Sequence, residues 1–284
     1  MQTHHERPPV LANPHAERVR KVAGLSGRSA RERHGLILVE GPQAVRELLT
    51  HRPDTVRDIY MGHRAAALDP DLADLAHSVT RWVHPTTDEV ARAMSPDAQG
   101  VLAAATFDAV RDTMPEDLPE GVTLALLAQG RDPGNVGTII RTADAMGAAA
   151  VLTVAGTVDV RSPKVVRASA GSVFHVPVIG FRTFDEAAAA LRERQAVLLG
   201  TSGGDASQDL DALMLSGALE SRGWLTRTHA WVFGNEAKGL SRAEMDACDL
   251  LVRIDMTGAA ESLNVASAAA MCFFASQVVR RSRA

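Results

Sequence analysis

The chain has 284 residues, 46% of them hydrophobic and 23% charged, which is the balance of an ordinary globular protein with room for one large or two ordinary domains. No apolar run approaches the roughly 18–20 residues of a membrane helix, and residues 1–9 hold no apolar signal core, so the expectation is a cytoplasmic protein with no membrane partner. The net charge of −4 excludes a uniformly basic nucleic-acid binder: residues 1–35 carry seven Lys/Arg against three acids, while residues 108–284 carry 17 against 21, so any basic surface must be local. The two cysteines, Cys248 and Cys272, are unpatterned and sit in apolar helical contexts; they read as buried thiols, with neither a disulfide framework nor a metal site expected.

Residues 1–14 show no periodicity and read as a loose tail. Residues 16–25 predict a short basic helix, 36–39 a strand, 43–49 a helix and 56–61 a second strand. A helix over 68–78, a short strand over 81–83, a helix over 86–94 opened by the capping pattern at Thr87, and a strand over 101–105 complete an α/β unit, assigned to residues 15–107. Residues 108–121 are charged and hold two prolines and a glycine, the composition of a linker. From 122 to 284, strands (122–127, 151–154, 176–179, 196–200, 250–254) alternate with helices (135–146, 163–171, 184–194, 266–279), implying a mostly parallel sheet. Residues 202–229 lack a clear rhythm apart from a possible helix over 210–219, and read as an insertion or flap.

Three polar turns stand out. They are Gln129-Gly130-Arg131-Asp132-Pro133-Gly134-Asn135, Phe233-Gly234-Asn235-Glu236-Ala237-Lys238-Gly239, and the run from Ile254 through Glu261-Ser262-Leu263-Asn264. All three share one layout: a short apolar strand ends, a polar turn follows, and a helix begins. Ligands of open α/β sheets bind beyond the carboxyl ends of the strands, so three such turns meeting at one edge would make one site. The first turn lacks the Gly-Lys-Ser/Thr of a phosphate loop and the spacing of a dinucleotide fingerprint. Asn135 and Ser262 are each open to a second reading as a helix N-cap. Arg141 follows Thr138-Ile139-Ile140, which suggests a partly buried stem and hence an acidic or phosphate partner.

Together these motifs resemble the SpoU (TrmH-like) family of RNA 2′-O-methyltransferases of the SPOUT superfamily, over residues 122–284. The departure is Asp255, where the family usually has proline. The resemblance implies a Rossmann-like, mostly parallel sheet with a trefoil knot, a homodimer with the active site at its interface, and S-adenosylmethionine as cofactor. It implies Asn135, Arg141, Glu236, Ser262 and Asn264 as catalytic or positioning residues. The cofactor would meet Thr201, Ser202, Gly203, Gly234, Asn235, Glu236 and Ser262, with Ile254, Met256 and Leu263 as apolar walls. No metal is required.

Residues 28–41 are similar to the start of the small RNA-binding domain that precedes many SpoU catalytic domains. Arg28, Arg31 and Arg33 are then either phosphate contacts or a solvated helix face, and Arg167 either a phosphate contact or a surface ion pair. A separate N-terminal domain favours ribosomal over transfer RNA as substrate; a non-catalytic assembly factor is the reading from another class. With 4% aromatic residues, and Tyr60, Trp82 and Trp224 as the obvious stacking candidates, recognition by RNA shape is expected over base stacking.

Overall fold

A computed structural model describes residues 9–204, 207–219 and 223–283; residues 1–8 of the expected tail lie outside them. The chain forms two compact units, Met1–Val110 with Arg161–Phe174, and Arg111–Val160 with His175–Ala284.

In the first unit, α1 (Glu17–Gly24) and α2 (Arg28–His34) precede β1 (Leu36–Glu40), α3 (Pro42–His51), β2 (Val56–Gly62), α4 (His63–Leu68), α5 (Pro70–Val79), β3 (Val83–Thr86), α6 (Asp88–Met94) and β4 (Val101–Thr106). The sheet order is β1-β4-β2-β3, with only β2 and β3 parallel. Val19, Val22 and Leu25 of α1 and Val90 and Met94 of α6 pack with Leu38, Tyr60 and Leu102 of the sheet. The single helix expected over 68–78 is two. Asp69-Pro70 breaks it, because the residue before proline is pushed out of the helical region. Asp69 then caps α5 by accepting the Leu72 N–H (3.1 Å), and Arg46 donates to its carboxylate at 2.7 Å. The strand expected over 81–83 lies instead at Val83–Thr86.

The second unit begins with β5 (Thr123–Leu127), α7 (Pro133–Ala145) and β6 (Val151–Val154); the chain then passes through α8 (Pro163–Ala168), which packs with the first unit. It continues through β7 (Val178–Phe181), α9 (Phe184–Glu193), β8 (Val197–Thr201), β9 (Gln208–Asp209), α10 (Leu210–Leu219), β10 (His229–Phe233), α11 (Arg242–Asp246), β11 (Leu250–Arg253) and α12 (Val265–Arg281). Among the described residues the sheet order is β7-β6-β5-β10-β8-β11-β9, and every pairing is parallel. Both faces are covered, which is why the strands read as continuous apolar runs. Along β10 the faces alternate. Ala230 and Val232 join Leu126, Leu152, Leu191 and Leu198 in one core. Trp231 and His229 instead both bond Ser276 of α12 (2.9 and 2.8 Å), and Phe233 meets Phe273.

The flap reading of residues 202–229 is corrected. Apart from residues 205–206 and 220–222, which lie outside the described residues, the stretch is built into the fold. β9 extends the sheet beside β11, Arg253 pairs with Asp209 at 2.6 Å, and α10 lies on α12 with Gly217 against Val279. No helix among the described residues is long and apolar enough to cross a membrane.

Candidate active site

The carboxyl ends of β5, β8, β10 and β11 lie side by side, so the turns that follow them share one edge. The first turn enters α7 with Pro133 at its first position, and the Asp132 carboxylate accepts the Asn135 N–H at 2.8 Å. Asp132 is therefore the cap. Asn135, expected as cap or site residue, lies one turn in with its side chain released. That side chain accepts from the Asn264 amide (Nδ2 to Oδ1, 2.9 Å). Asn264 is itself the cap of α12, accepting the Ala266 and Ser267 N–H groups at 2.8 and 3.3 Å. Ser262, also read as a possible cap, is exposed and makes no hydrogen bond among the described residues.

The second turn is closed by paired backbone bonds between Asn235 and Gly239 (3.0 and 2.8 Å). A Cβ at Gly234 would collide with the Gly239–Leu240 backbone, so only glycine lets the turn fold back so tightly. The Asn235 side-chain oxygen accepts two N–H groups of its own turn, and its amide donates to Gln129 of the first turn at 3.2 Å. Glu236 accepts the Arg131 and Asp132 N–H groups at 3.3 and 3.2 Å. The second turn thus clamps the first, and the first is amide-bonded to the third. Gln129 and Asp132 were missed by the sequence reading; both lie within the first motif, and the signal available for Asp132 was the Asp-Pro pair that opens a helix.

The second and third turns, with the end of β8, line a cavity of about 330 Å³. Thr201, Ser202, Gly203, Gly234, Asn235, Glu236, Ile254, Met256, Ser262 and Leu263 all line it, as do Val265 and Cys272 from the start and middle of α12. Thr201 is fixed by donating to the Val232 carbonyl (3.0 Å). Met256 and Leu263 stay 38% and 36% exposed at this cavity. Solvent-facing apolar side chains around a polar-backed concavity suit a ligand with an apolar portion. Cys272 is a buried thiol held protonated, because burial raises its pKa. Cys248 is half-buried and is likewise pushed up, to about 12, by burial.

A family model described as the SpoU rRNA Methylase family matches residues 122–274, the span that contains all three turns. The chain belongs to the SpoU methylase family. It is 32% identical over 247 residues to the 23S rRNA (guanosine-2′-O-)-methyltransferase RlmB of Bordetella pertussis, covering 84% of this chain and 96% of that protein. It is also 32% identical over 260 residues to the 23S rRNA (uridine(2479)-2′-O)-methyltransferase of Streptomyces viridochromogenes, covering 86% and 83%. Among solved structures, the SpoU methyltransferase AviRb of Streptomyces viridochromogenes in complex with AdoMet superposes with a TM-score of 0.75 at 26% identity, over 94% of this chain and 98% of that one.

The SpoU arginines divide. Arg141 is exposed on α7, with no hydrogen-bond or charge partner among the described residues. The buried stem expected for it is corrected: Ile139, Ile140 and Ala143 take the buried face, and Arg141 shares the outer stripe with Thr138. Arg167 belongs to the first unit. On α8 it pairs with the buried Glu40, which also accepts from Ser95 (2.5 Å), and with Asp97 at 2.9 Å. Arg31 is only 3% exposed and donates to the Leu25 and Ser26 carbonyls (3.0 and 2.7 Å), tying down the end of α1, which removes it from any RNA surface. Arg28 is exposed and pairs with Glu32; Arg33 is exposed with no partner among the described residues. Tyr60 is buried and leaves the list of stacking candidates, whereas Trp82 is half-exposed beneath Arg81.

Proposed function

We propose that the protein transfers a methyl group from S-adenosylmethionine to a ribose 2′-hydroxyl of large-subunit ribosomal RNA. The observation that carries this reading is one cavity lined by every position expected to touch the cofactor, beside which Glu236 clamps the first turn and Asn264 bonds Asn135. Two relatives named for 2′-O-methylation of 23S rRNA support the substrate class.

S-adenosylmethionine supplies an electrophilic methyl on a sulfonium, and the rest is orientation of the acceptor hydroxyl. Ile254, Met256 and Leu263 wall the apolar part of the cavity, and Gly203 and Gly234 let a purine edge approach the backbone. The Asn135–Asn264 amide pair holds the first and third turns in register and leaves the Asn135 amide free to donate to the ribose. Arg141 serves as an electrostatic and positioning group rather than as a base, since a guanidinium offers donors and no acceptor. It fixes the phosphate next to the target ribose and stabilises the oxyanion that forms as the hydroxyl proton passes to water or to that phosphate.

In this reading residues 15–107 are an RNA substrate-binding domain, with Arg28 and Arg33 available to phosphates, and residues 122–284 are the catalytic domain. The segment after β11 threads a loop to make the trefoil knot of the SPOUT superfamily. A second copy of the chain covers the outer face of α12, where Met271 and Phe274 are 45% and 53% exposed, and completes the site. The protein works in the cytoplasm, where its substrate is made.

The test is methyl transfer from labelled S-adenosylmethionine to unmodified ribosomal RNA and to bulk transfer RNA. Alkali-resistant label at one ribosomal nucleotide, lost in Arg141→Ala, is the expected result. Label in transfer RNA alone would keep the chemistry and change the substrate; cofactor binding without transfer to either would overturn the assignment.

A further inference from the structure

The second unit holds another concavity, away from the catalytic cavity. A cleft of about 980 Å³ lies at the opposite edge of the parallel sheet, where Gly121, Gln195 and Thr228 lead into β5, β8 and β10. Four guanidinium groups line it, from Arg194, Arg227, Arg280 and Arg283, against one carboxylate, Glu120. None of the four has an acidic partner within ion-pairing distance among the described residues. Several arginines elsewhere are neutralised: Arg46 by Asp69, Arg167 by Glu40 and Asp97, Arg242 by Asp246, Arg253 by Asp209. In a chain of net charge −4, four unpaired guanidinium groups around one cleft are a local excess that an anion would relieve.

The four are held differently. Arg280 donates to the Met146 and Gly147 carbonyls at the end of α7 (2.7 and 3.3 Å), which fixes its position. Arg194 donates to the Ala190 carbonyl, while its Nε is buried and without a partner. Arg227 lies over the Trp224 ring, 5.8 Å from its centre, and it and Arg283 are exposed with no side-chain hydrogen bond among the described residues. The field reaches inward as well: Arg280 adds to the burial that lowers the pKa of His229, directly behind the cleft.

We propose that this cleft is a second contact surface for the phosphodiester backbone of the RNA substrate. The inference rests on the assignment of RNA as substrate. Planar guanidinium groups bind phosphate oxygens bidentately, and the cleft is too large and too open for one small anion to engage all four. α12 runs 17 residues, about 25 Å, from Asn264 at the catalytic cavity to the arginines of the cleft. A folded RNA spans that distance and a free nucleotide does not. The cleft would set the register of the RNA without reading its sequence.

The test is Arg227→Glu combined with Arg283→Glu in the full-length protein. Equilibrium binding of an unmodified ribosomal RNA fragment is measured across a salt series, beside S-adenosylmethionine affinity and thermal melting. The expected result is at least a tenfold rise in the RNA Kd and a salt slope shallower by about 2, one for each phosphate no longer neutralised. Cofactor affinity and kcat at saturating RNA should be unchanged. If the charge reversal lowers the melting temperature, Arg227→Gln with Arg283→Gln gives the same slope readout. An unchanged Kd and slope in an enzyme that methylates ribosomal RNA would overturn the cleft alone. A weakened Kd and slope with no methylation by the wild type would uphold the cleft and sink the assigned reaction. Inorganic triphosphate that binds the cleft without displacing RNA would overturn the proposal in favour of a small-anion site.

Discussion

The two edges of the parallel sheet are built from the same strands and solve opposite problems. At the carboxyl edge, Asn135, Asn235, Glu236 and Asn264 spend their polar atoms on one another and on the backbone of neighbouring turns, giving a walled cavity with its groups fixed beforehand. At the amino edge four arginines without ion-pair partners among the described residues line a cleft of larger volume. Networks of short polar side chains place atoms accurately; unpaired cations attract at a distance and tolerate variation in what they hold. Chemistry on one hydroxyl needs the first, and grip on a long polyanion needs the second.

The comparison breaks hardest at Arg141, an exposed cation on α7 six residues past Asn135. Arg141→Ala should lower kcat by about 10²–10³, as for loss of one oxyanion-stabilising donor, with S-adenosylmethionine affinity unchanged by calorimetry. Arg141→Lys at near wild-type rate would rule out a role specific to guanidinium.

The amino edge should show itself in acid. His229 is fully buried, and its pKa is lowered to about 4, by burial first and by Arg280 last. The unfolded chain takes up a proton near pH 6.5 that the folded chain refuses until about pH 4. Stability is therefore complete above pH 6.5 and falls as the pH drops toward 4, by up to about 3 kcal/mol. Denaturant midpoints measured between pH 7 and 4 should show the loss, and His229→Gln should flatten it.

Asn264→Ala removes both the α12 cap and the link to Asn135, and should cost about 1–2 kcal/mol of stability together with a several-fold loss of cofactor affinity. Asn264→Ser should restore most of the stability and little of the affinity, since serine caps but does not reach Asn135. The smallest contrast lies in the first unit. Arg31→Ala, which leaves two carbonyls unpaired, should cost about 1–3 kcal/mol in a urea melt, whereas Arg28→Ala, in an exposed i,i+4 pair, should change nothing measurable.

Much of this was legible in the sequence because strand, glycine turn and helix leave separate marks. The alternation from residue 122 onward gave the parallel sheet, and the three turns named most of the residues that line one cavity. What escaped depends on burial and on side-chain reach. Periodicity put apolar residues before Arg141, but not on which side of α7 they would fall. Arg31 and Arg33 look alike in the chain, and only packing buries one of them. Asp132 and Asn264 took the capping roles expected at Asn135 and Ser262, since helix ends in polar turns offer several side chains of equal chemistry. The stretch over 202–229 read as irregular because β9 is two residues long and α10 has apolar residues on every side.

The hydrogen bond between Asn135 and Asn264 joins residues 129 apart in the chain. Synthesis proceeds from the amino terminus at roughly 5–20 residues per second, so the first half of the site waits about 6–26 s for the second to be made. Through most of that interval β5, too, lacks its neighbour β10, and the apolar faces that α12 will cover stand open. The site thus arises all at once, when Asn264 has been made and not before, and until then the nascent chain carries uncovered apolar surface.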